Sequence, residues 1–125
     1  MLISTLLSTA DFAALDKGVE ACDRAVVNPM FAGEAGRRSA FLTDAFIEQD
    51  AIVTLRADIA TRRRAIREGH GVSGDSDQAL ALQQLAVDDR QRALDDKRRL
   101  ETLRVEALDA KRHYYLVHCA SGKDL

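Results

Sequence analysis

The second half of the chain contains a long segment, from Asp77 to His118, that no glycine or proline interrupts. Both residue types destabilise the interior of a helix, so this segment, rich in Ala, Leu, Arg and Asp, is typical of one long α-helix. The preceding segment, residues 30–68, has no further proline, and its apolar residues recur at helical spacing. Between them, residues 69–75 hold three glycines and predict a loop, after which Asp75 or Ser76 can cap a helix over residues 76–118.

Two long helices with a short connection are expected to lie side by side and antiparallel. The signs of the charges support such a pairing. If the connection pivots near residue 72, Arg56 lies opposite Asp88 and Asp89, and Glu48 lies near the basic residues 97–99. Exposed ion pairs contribute little stability, but they help to set the register of two helices. The sequence therefore predicts an all-α fold built on a long antiparallel helical hairpin of coiled-coil type.

A short helix is predicted for residues 11–27, where apolar residues recur every three or four positions before Asn28 and Pro29 end the pattern. The hairpin register places five of the six aromatic residues at the end away from the loop. We expect the short helix to pack on this base, and residues 119–125 to form a tail. The whole chain, residues 1–125, is then one helical domain.

The last helix carries a ladder of positions that alternates steps of three and four, as a coiled-coil seam does: 79, 82, 86, 89, 93, 96, 100, 103, 107, 110, 114 and 117. Asp89 and Asp96 interrupt it. Two helices alone bury little surface, so we expect the hairpin to gain burial from a partner or a second copy. The residues predicted to carry self-association are Ile52, Ile59, Ile66, Leu82, Leu100 and Leu103.

Both cysteines, Cys22 and Cys119, fall at the predicted base, which makes a disulfide between them reasonable. The alternative is two thiols packed as small hydrophobic side chains, the usual state in a reducing cytosol. Residues 1–10 are either a flexible N-terminus or the remnant of an export leader. The protein is expected to be periplasmic or otherwise exported in the second case, and cytoplasmic in the first. No apolar stretch has the length of a membrane span.

Residue patterns for catalysis or metal binding are weak. His113 and His118 would lie about 140° apart around a helix, a poor arrangement for sharing a metal ion, and His70 falls in the loop. The glycine-rich loop lacks the Lys-Ser/Thr of a phosphate loop. Cys119 beside His118 is the only nominal nucleophile and base, and adjacent helical residues point in different directions. We therefore expect no enzyme activity, no cofactor and no metal ion.

Four arginines near the loop, Arg62, Arg63, Arg64 and Arg67, form the one basic cluster with a functional aspect. They can complement the C-terminal dipole of their helix, bind a protein partner or contact phosphates. The net charge of −2 and the lack of neighbouring aromatic residues make nucleic acid the least favoured partner. The sequence predicts a non-enzymatic protein-interaction module, of adaptor or chaperone-like type, with a small nucleic-acid-associated protein as the alternative.

Overall fold

The computed structural model describes residues 9–120, with side chains from Phe12 onward, and this part of the chain is helical. It forms four helices: α1 (Thr9–Glu20), α2 (Arg24–Ala32), α3 (Glu34–Arg67) and α4 (Asp77–Cys119). α2 leads directly into α3, and α4 packs antiparallel to them. The predicted fold, a short N-terminal helix with a long helical hairpin, is confirmed. The predictions for residues 1–8 and 121–125 lie outside the described residues.

The chain divides into two compact units, and the division cuts across both long helices. We call them the terminal unit, which extends up to Thr43 and resumes at Arg99, and the loop unit, Asp44–Arg98. Each contains a piece of α3 and a piece of α4. The single predicted domain is therefore built from two units, each assembled from segments that are distant in sequence.

The single helix predicted for residues 11–27 is wrong, because the structure divides it at residues 21–23. α1 ends at Glu20, and Cys22 has a φ of 52°, in the left-handed region that a helix cannot include. Asp23 then begins α2, since its side chain accepts a hydrogen bond from the amide of Ala25 at 3.1 Å. Pro29 lies inside α2 and does not end it. The break thus comes from the conformation at Cys22 and the cap at Asp23.

The core of the terminal unit forms where α1 and α2 meet α4. Its buried residues are Leu15, Val19, Val27, Leu108, Tyr115 and Cys119, with Phe12, Cys22, Met30 and Phe31 packed against them. The rings of Phe31 and Tyr115 lie 6.4 Å apart between centroids. Gly18 lets α1 approach α2 closely, because a Cβ atom there would lie 2.9 Å from Val26 Cγ1. The short helix therefore packs on the base of the hairpin, as predicted.

The buried face of the long helices repeats every seven residues, the period of a coiled coil. In the loop unit, α3 buries Ile52 and Ile59, and α4 buries Leu80, Val87 and Leu94. In the terminal unit the same repeat of α4 continues with Glu101, Leu108 and Tyr115. Ile52 and Ile59 are 0% and 3% exposed, so they pack the hairpin itself and are not available to a second chain. This corrects their assignment to self-association.

The predicted ladder on α4 is not the intramolecular seam. Leu82, Leu100 and Leu103, its largest aliphatic members, are 63%, 52% and 55% exposed. The observed seam lies on a different face of the helix and includes Glu101 where a coiled coil would carry an apolar residue. The apolar ladder in the sequence of α4 therefore marks the exposed face of this helix, because the buried face includes a charged residue.

A buried ion pair takes the place of one apolar layer in the terminal unit. Arg104 donates through Nε and Nη2 to Oε1 and Oε2 of Glu101, at 2.9 and 2.7 Å, and Arg38 Nη1 donates to Oε2 at 3.1 Å. Arg104 Nη1 also donates to Oε1 of Glu34 at 2.9 Å. Burial alone would raise the pKa of Glu101, but the hydrogen bonds from Arg104 and Arg38 outweigh it and lower that pKa.

Polar side chains also link the two helices within the loop unit. Gln49 and Gln91 donate to each other through their amides, at 3.0 and 3.1 Å. Arg90 binds Glu48 through two hydrogen bonds of 2.9 and 2.7 Å. Arg56 lies 2.8 Å from Asp88, as the charge pattern predicts. Each link fits one register of α3 against α4, so these side chains set the register of the two helices as well as stabilising their contact.

The loop between α3 and α4 is confirmed at the predicted place. Gly69 and Gly74 have φ values of 81° and 94°, which glycine adopts without a steric penalty. Ser76 caps α4, because its hydroxyl accepts a hydrogen bond from the amide of Ala79 at 3.0 Å.

Replacing Glu101 by Gln should lower the free energy of unfolding at pH 7 by about 3 kcal/mol, because the buried Arg104 loses the carboxylate that binds it through two hydrogen bonds and keeps only its contact with Glu34. The lowered pKa of Glu101 means that its ionised form stabilises the fold above the ordinary value of 4.5. This stabilisation is lost as the pH falls through the folded pKa. The difference between Glu101→Gln and the wild type should therefore shrink in acid, which urea titrations at neutral and acidic pH would measure.

A double variant, Glu101→Leu with Arg104→Leu, is the matched control. It removes both charges together and should lower the free energy of unfolding less than Glu101→Gln alone, because neither buried charge is left without the other. An equal or greater loss in the double variant would contradict this account of the pair.

Candidate functional site

One face of α4 in the terminal unit is apolar and exposed. It contains two leucines, two alanines, a tyrosine and a valine in alternating steps of three and four, and we call it the outer stripe: Leu100, Leu103, Ala107, Ala110, Tyr114 and Val117. Its four large side chains are between 46% and 60% exposed. Such a run of exposed, regularly spaced apolar residues is typical of a surface that binds a partner.

The outer stripe and the buried seam lie on different sides of the same helix. At 100° per residue, the centre of the stripe is roughly 130° around α4 from the buried repeat of Glu101, Leu108 and Tyr115. The steps of three and four keep the stripe narrow, and a narrow apolar stripe fits the side of another helix. α4 therefore carries apolar side chains on two faces, and the described residues of the chain bury one of them.

Tyr114 is held in place within the outer stripe. Its hydroxyl donates to Oε1 of Glu20 at 3.1 Å, and its ring stacks on His118 with centroids 5.1 Å apart. Loss of hydration, followed by the hydrogen bond to Glu20, raises the pKa of Tyr114, so the hydroxyl keeps its proton as a donor. The stripe thus includes one aromatic side chain whose orientation is already fixed.

The charges beside the outer stripe differ between its two edges. On one edge, Arg104 binds Glu101, and Lys111 lies 2.6 Å from Asp16, so both cations are paired within the chain. The other edge carries Arg99 and Glu106, which are exposed.

Other exposed apolar residues lie in the loop unit. Phe46 and Val53 on α3 are 70% and 55% exposed and stand seven residues apart, and Leu82 and Leu85 are exposed on α4. Ile66 is half-buried. Of the residues predicted for self-association, Leu82, Leu100 and Leu103 are thus on the surface. Only the last two belong to the outer stripe.

The structure separates Arg62 from the rest of the predicted arginine cluster. Arg62 donates through Nε and Nη2 to the two carboxylate oxygens of Asp75, at 3.0 and 2.5 Å. Its Nη1 also donates to Asp58 and Gln83. The hydrogen bonds to Asp75 and then to Asp58 raise the pKa of Arg62, and Arg62 in turn lowers the pKa of Asp75. Arg62 therefore anchors the loop to both helices.

The remaining basic surface of the cluster consists of Arg63, Arg64 and Arg67. Arg63 is half-buried, whereas Arg64 and Arg67 are exposed. With Arg62 committed to Asp75, the surface that could contact a partner or a phosphate is smaller than the sequence predicts.

The predicted disulfide is present in the terminal unit. Cys22 and Cys119 are bonded, with their Cα atoms 5.5 Å apart, and they stand 97 positions apart in sequence. A ring nitrogen of His118 lies within 4.8 Å of both sulfurs, and its Nε2 is 3.2 Å from the carbonyl oxygen of Glu20. The spacing of His113, His118 and Cys119 along α4 does not indicate this group, because the return of α1 to the end of α4 brings Glu20 and Cys22 beside His118.

Three groups of described residues are therefore candidates for function: the outer stripe, the exposed arginines and the disulfide with His118.

No protein-family model, curated protein or solved structure matched the chain.

Replacing Arg62 by Lys should lower the thermal midpoint by a few degrees, because lysine cannot bind both oxygens of Asp75 at once. Arg64→Lys is the control, since Arg64 is exposed and should tolerate the change. Circular dichroism during heating measures both. Equal midpoints for the two variants would contradict the anchoring role of Arg62.

Replacing Cys22 and Cys119 together by Ser should lower the free energy of unfolding by about 4–5 kcal/mol in the chain-entropy description of a cross-link this long. The measurement is a urea titration of both proteins under oxidising conditions. The wild type should fall to the stability of the variant when it is reduced, and an unchanged stability on reduction would argue against a stabilising bridge.

Proposed function

We propose that the chain is a non-enzymatic protein-interaction module that pairs with a second copy of itself through the outer stripe. The observation that supports this is the regular spacing of four large apolar side chains that are about half exposed. Covering each of them would contribute on the order of 1 kcal/mol, a combined gain suited to a reversible helix–helix contact. In this proposal the module acts as an adaptor or chaperone-like protein whose oligomeric state is part of its function.

An antiparallel pairing of two α4 helices can be centred between Leu100 and Leu103 of the outer stripe, with Ala107 and Tyr114 of one copy then opposite Asp96 and Asp89 of the other. If Leu100 of one copy meets Leu103 of the other, the twofold axis repeats that contact. The same register brings Arg99 beside Glu106 of the other copy, again twice. Attractive charges at such positions favour one partner and one orientation.

The neighbouring registers are less favourable. A shift of one heptad in one direction brings the two Arg99 side chains together. A shift in the other direction brings the two Glu106 side chains together. Like charges across a helix interface are destabilising, so the register centred between Leu100 and Leu103 is the one we propose.

The disulfide also favours one cellular compartment for the module. A bridge of this kind persists in oxidising compartments, so we propose that the disulfide-bonded form is the exported one.

Replacing Leu100 and Leu103 together by Asp should convert a self-associated chain to a monomer, because four charges would face each other in an apolar contact. Sedimentation velocity over a range of protein concentrations measures this. Leu116→Asp is the matched control: Leu116 is 53% exposed on the same helix but lies about 150° around it from the outer stripe. A wild type that stays monomeric at high concentration would refute the proposal. So would a Leu116→Asp variant that dissociates as much as the double variant at Leu100 and Leu103.

The proposed register has its own test in the charges. Glu106→Arg should weaken self-association about tenfold or more by placing two arginines together, and Arg99→Glu combined with Glu106→Arg should restore it. Failure of the double variant to recover would show that a different register or face is used.

A further inference from the structure

The disulfide of the terminal unit lies among side chains that serve as zinc ligands in other proteins. Cys22, His118 and Cys119 place two sulfurs and one imidazole nitrogen within 4.8 Å of one another. Glu20 lies beside them: its backbone carbonyl oxygen is 3.2 Å from Nε2 of His118, and its carboxylate stands outside the group. Thiolate and imidazole are both zinc ligands. In the oxidised chain, however, the sulfurs are bonded to each other.

A tetrahedral zinc site has bonds of about 2.0–2.3 Å to its ligands, which correspond to separations of about 3.3–3.8 Å between ligand atoms. A ring nitrogen of His118 and the two sulfurs already lie within 4.8 Å of one another. The two sulfurs would have to move apart once their bond is broken. Cys22 lies between α1 and α2, and Cys119 is the last residue of α4. Three protein ligands leave the fourth position of the tetrahedron to a water molecule.

We propose that the reduced chain binds one zinc ion through Cys22, His118 and Cys119. A dithiol reductant supplies two electrons and two protons, so the sulfur–sulfur bond breaks, both cysteines become thiols and the dithiol closes to its own disulfide. Binding of zinc then releases the two thiol protons to solvent. Neither step needs a further co-reactant.

The residues around the group suit this role. The carbonyl oxygen of Glu20, 3.2 Å from Nε2 of His118, can accept a hydrogen bond from that nitrogen and so orient the imidazole, as residues behind metal ligands commonly do. Cys119 is 7% exposed and belongs to the core of the unit. A zinc ion at this position would join the turn after α1 to the end of α4, the same two places that the disulfide joins. The oxidised and the reduced, zinc-bound chain would thus keep the same junction closed by different bonds.

The test uses the intact chain in both redox states. Protein reduced with a dithiol and then freed of it under anaerobic conditions should bind one zinc ion per chain, measured by competition with a chromophoric chelator. The oxidised protein should bind at least about a hundredfold more weakly, because it has no thiolate to offer. Zinc should also raise the thermal midpoint of the reduced protein and leave that of the oxidised protein unchanged.

His118→Ala should weaken zinc binding by the reduced chain about tenfold or more. His113→Ala is the matched control, since His113 is an exposed histidine on the same helix outside this group. Circular dichroism of each reduced variant separates the loss of a ligand from the loss of the fold. Reduced wild type that binds no stoichiometric zinc would overturn the proposal, as would equal affinities for His118→Ala and His113→Ala.

Discussion

The hairpin depends on a seam that buries one side chain in every seven residues of each long helix. Ile52 and Ile59 on α3, with Leu80, Val87 and Leu94 on α4, are the apolar layers of the loop unit. So few layers provide limited hydrophobic stabilisation, and the polar contacts between them therefore matter more than in a wide core. The reciprocal amides of Gln49 and Gln91 show this best, because they satisfy each other only in one register.

The terminal unit compensates for the limited burial of a narrow seam in a different way. It adds α1 and α2 to the end of α4 and so gains the aromatic and aliphatic core that two helices alone would lack. It also places Glu101 and Arg104 in the seam, where each is almost fully buried. A buried ion pair of this kind adds less stability than apolar residues would, but it strongly penalises any register that separates its members.

Most of the fold could be predicted from the sequence, because the absence of Gly and Pro from α4 and the three glycines after α3 are local signals. The pairing of Arg56 with Asp88 and the bridge between Cys22 and Cys119 followed from the hairpin register. The face of α4 could not be predicted, since Glu101 occupies the buried repeat while Leu100 and Leu103 are exposed. The break at Cys22 was also missed, because a left-handed φ at a non-glycine residue leaves no mark in an apolar pattern.

For the candidate sites, the sequence identified Leu100 and Leu103 as association residues, although it placed them on the seam of the hairpin. It grouped Arg62 with its neighbours, whereas the structure uses Arg62 to bind Asp75. The nearness of Glu20 to His118 could not be predicted at all, because it depends on how α1 returns to α4. Contacts set by the packing of distant segments are those that a reading of local patterns misses.

The bridge between Cys22 and Cys119 has a topological consequence. Nearly the whole hairpin lies within the ring of chain that this bond closes, including the exposed loop around Val72. A protease that cuts this loop would therefore produce two polypeptides that remain one covalent molecule, held together by the disulfide.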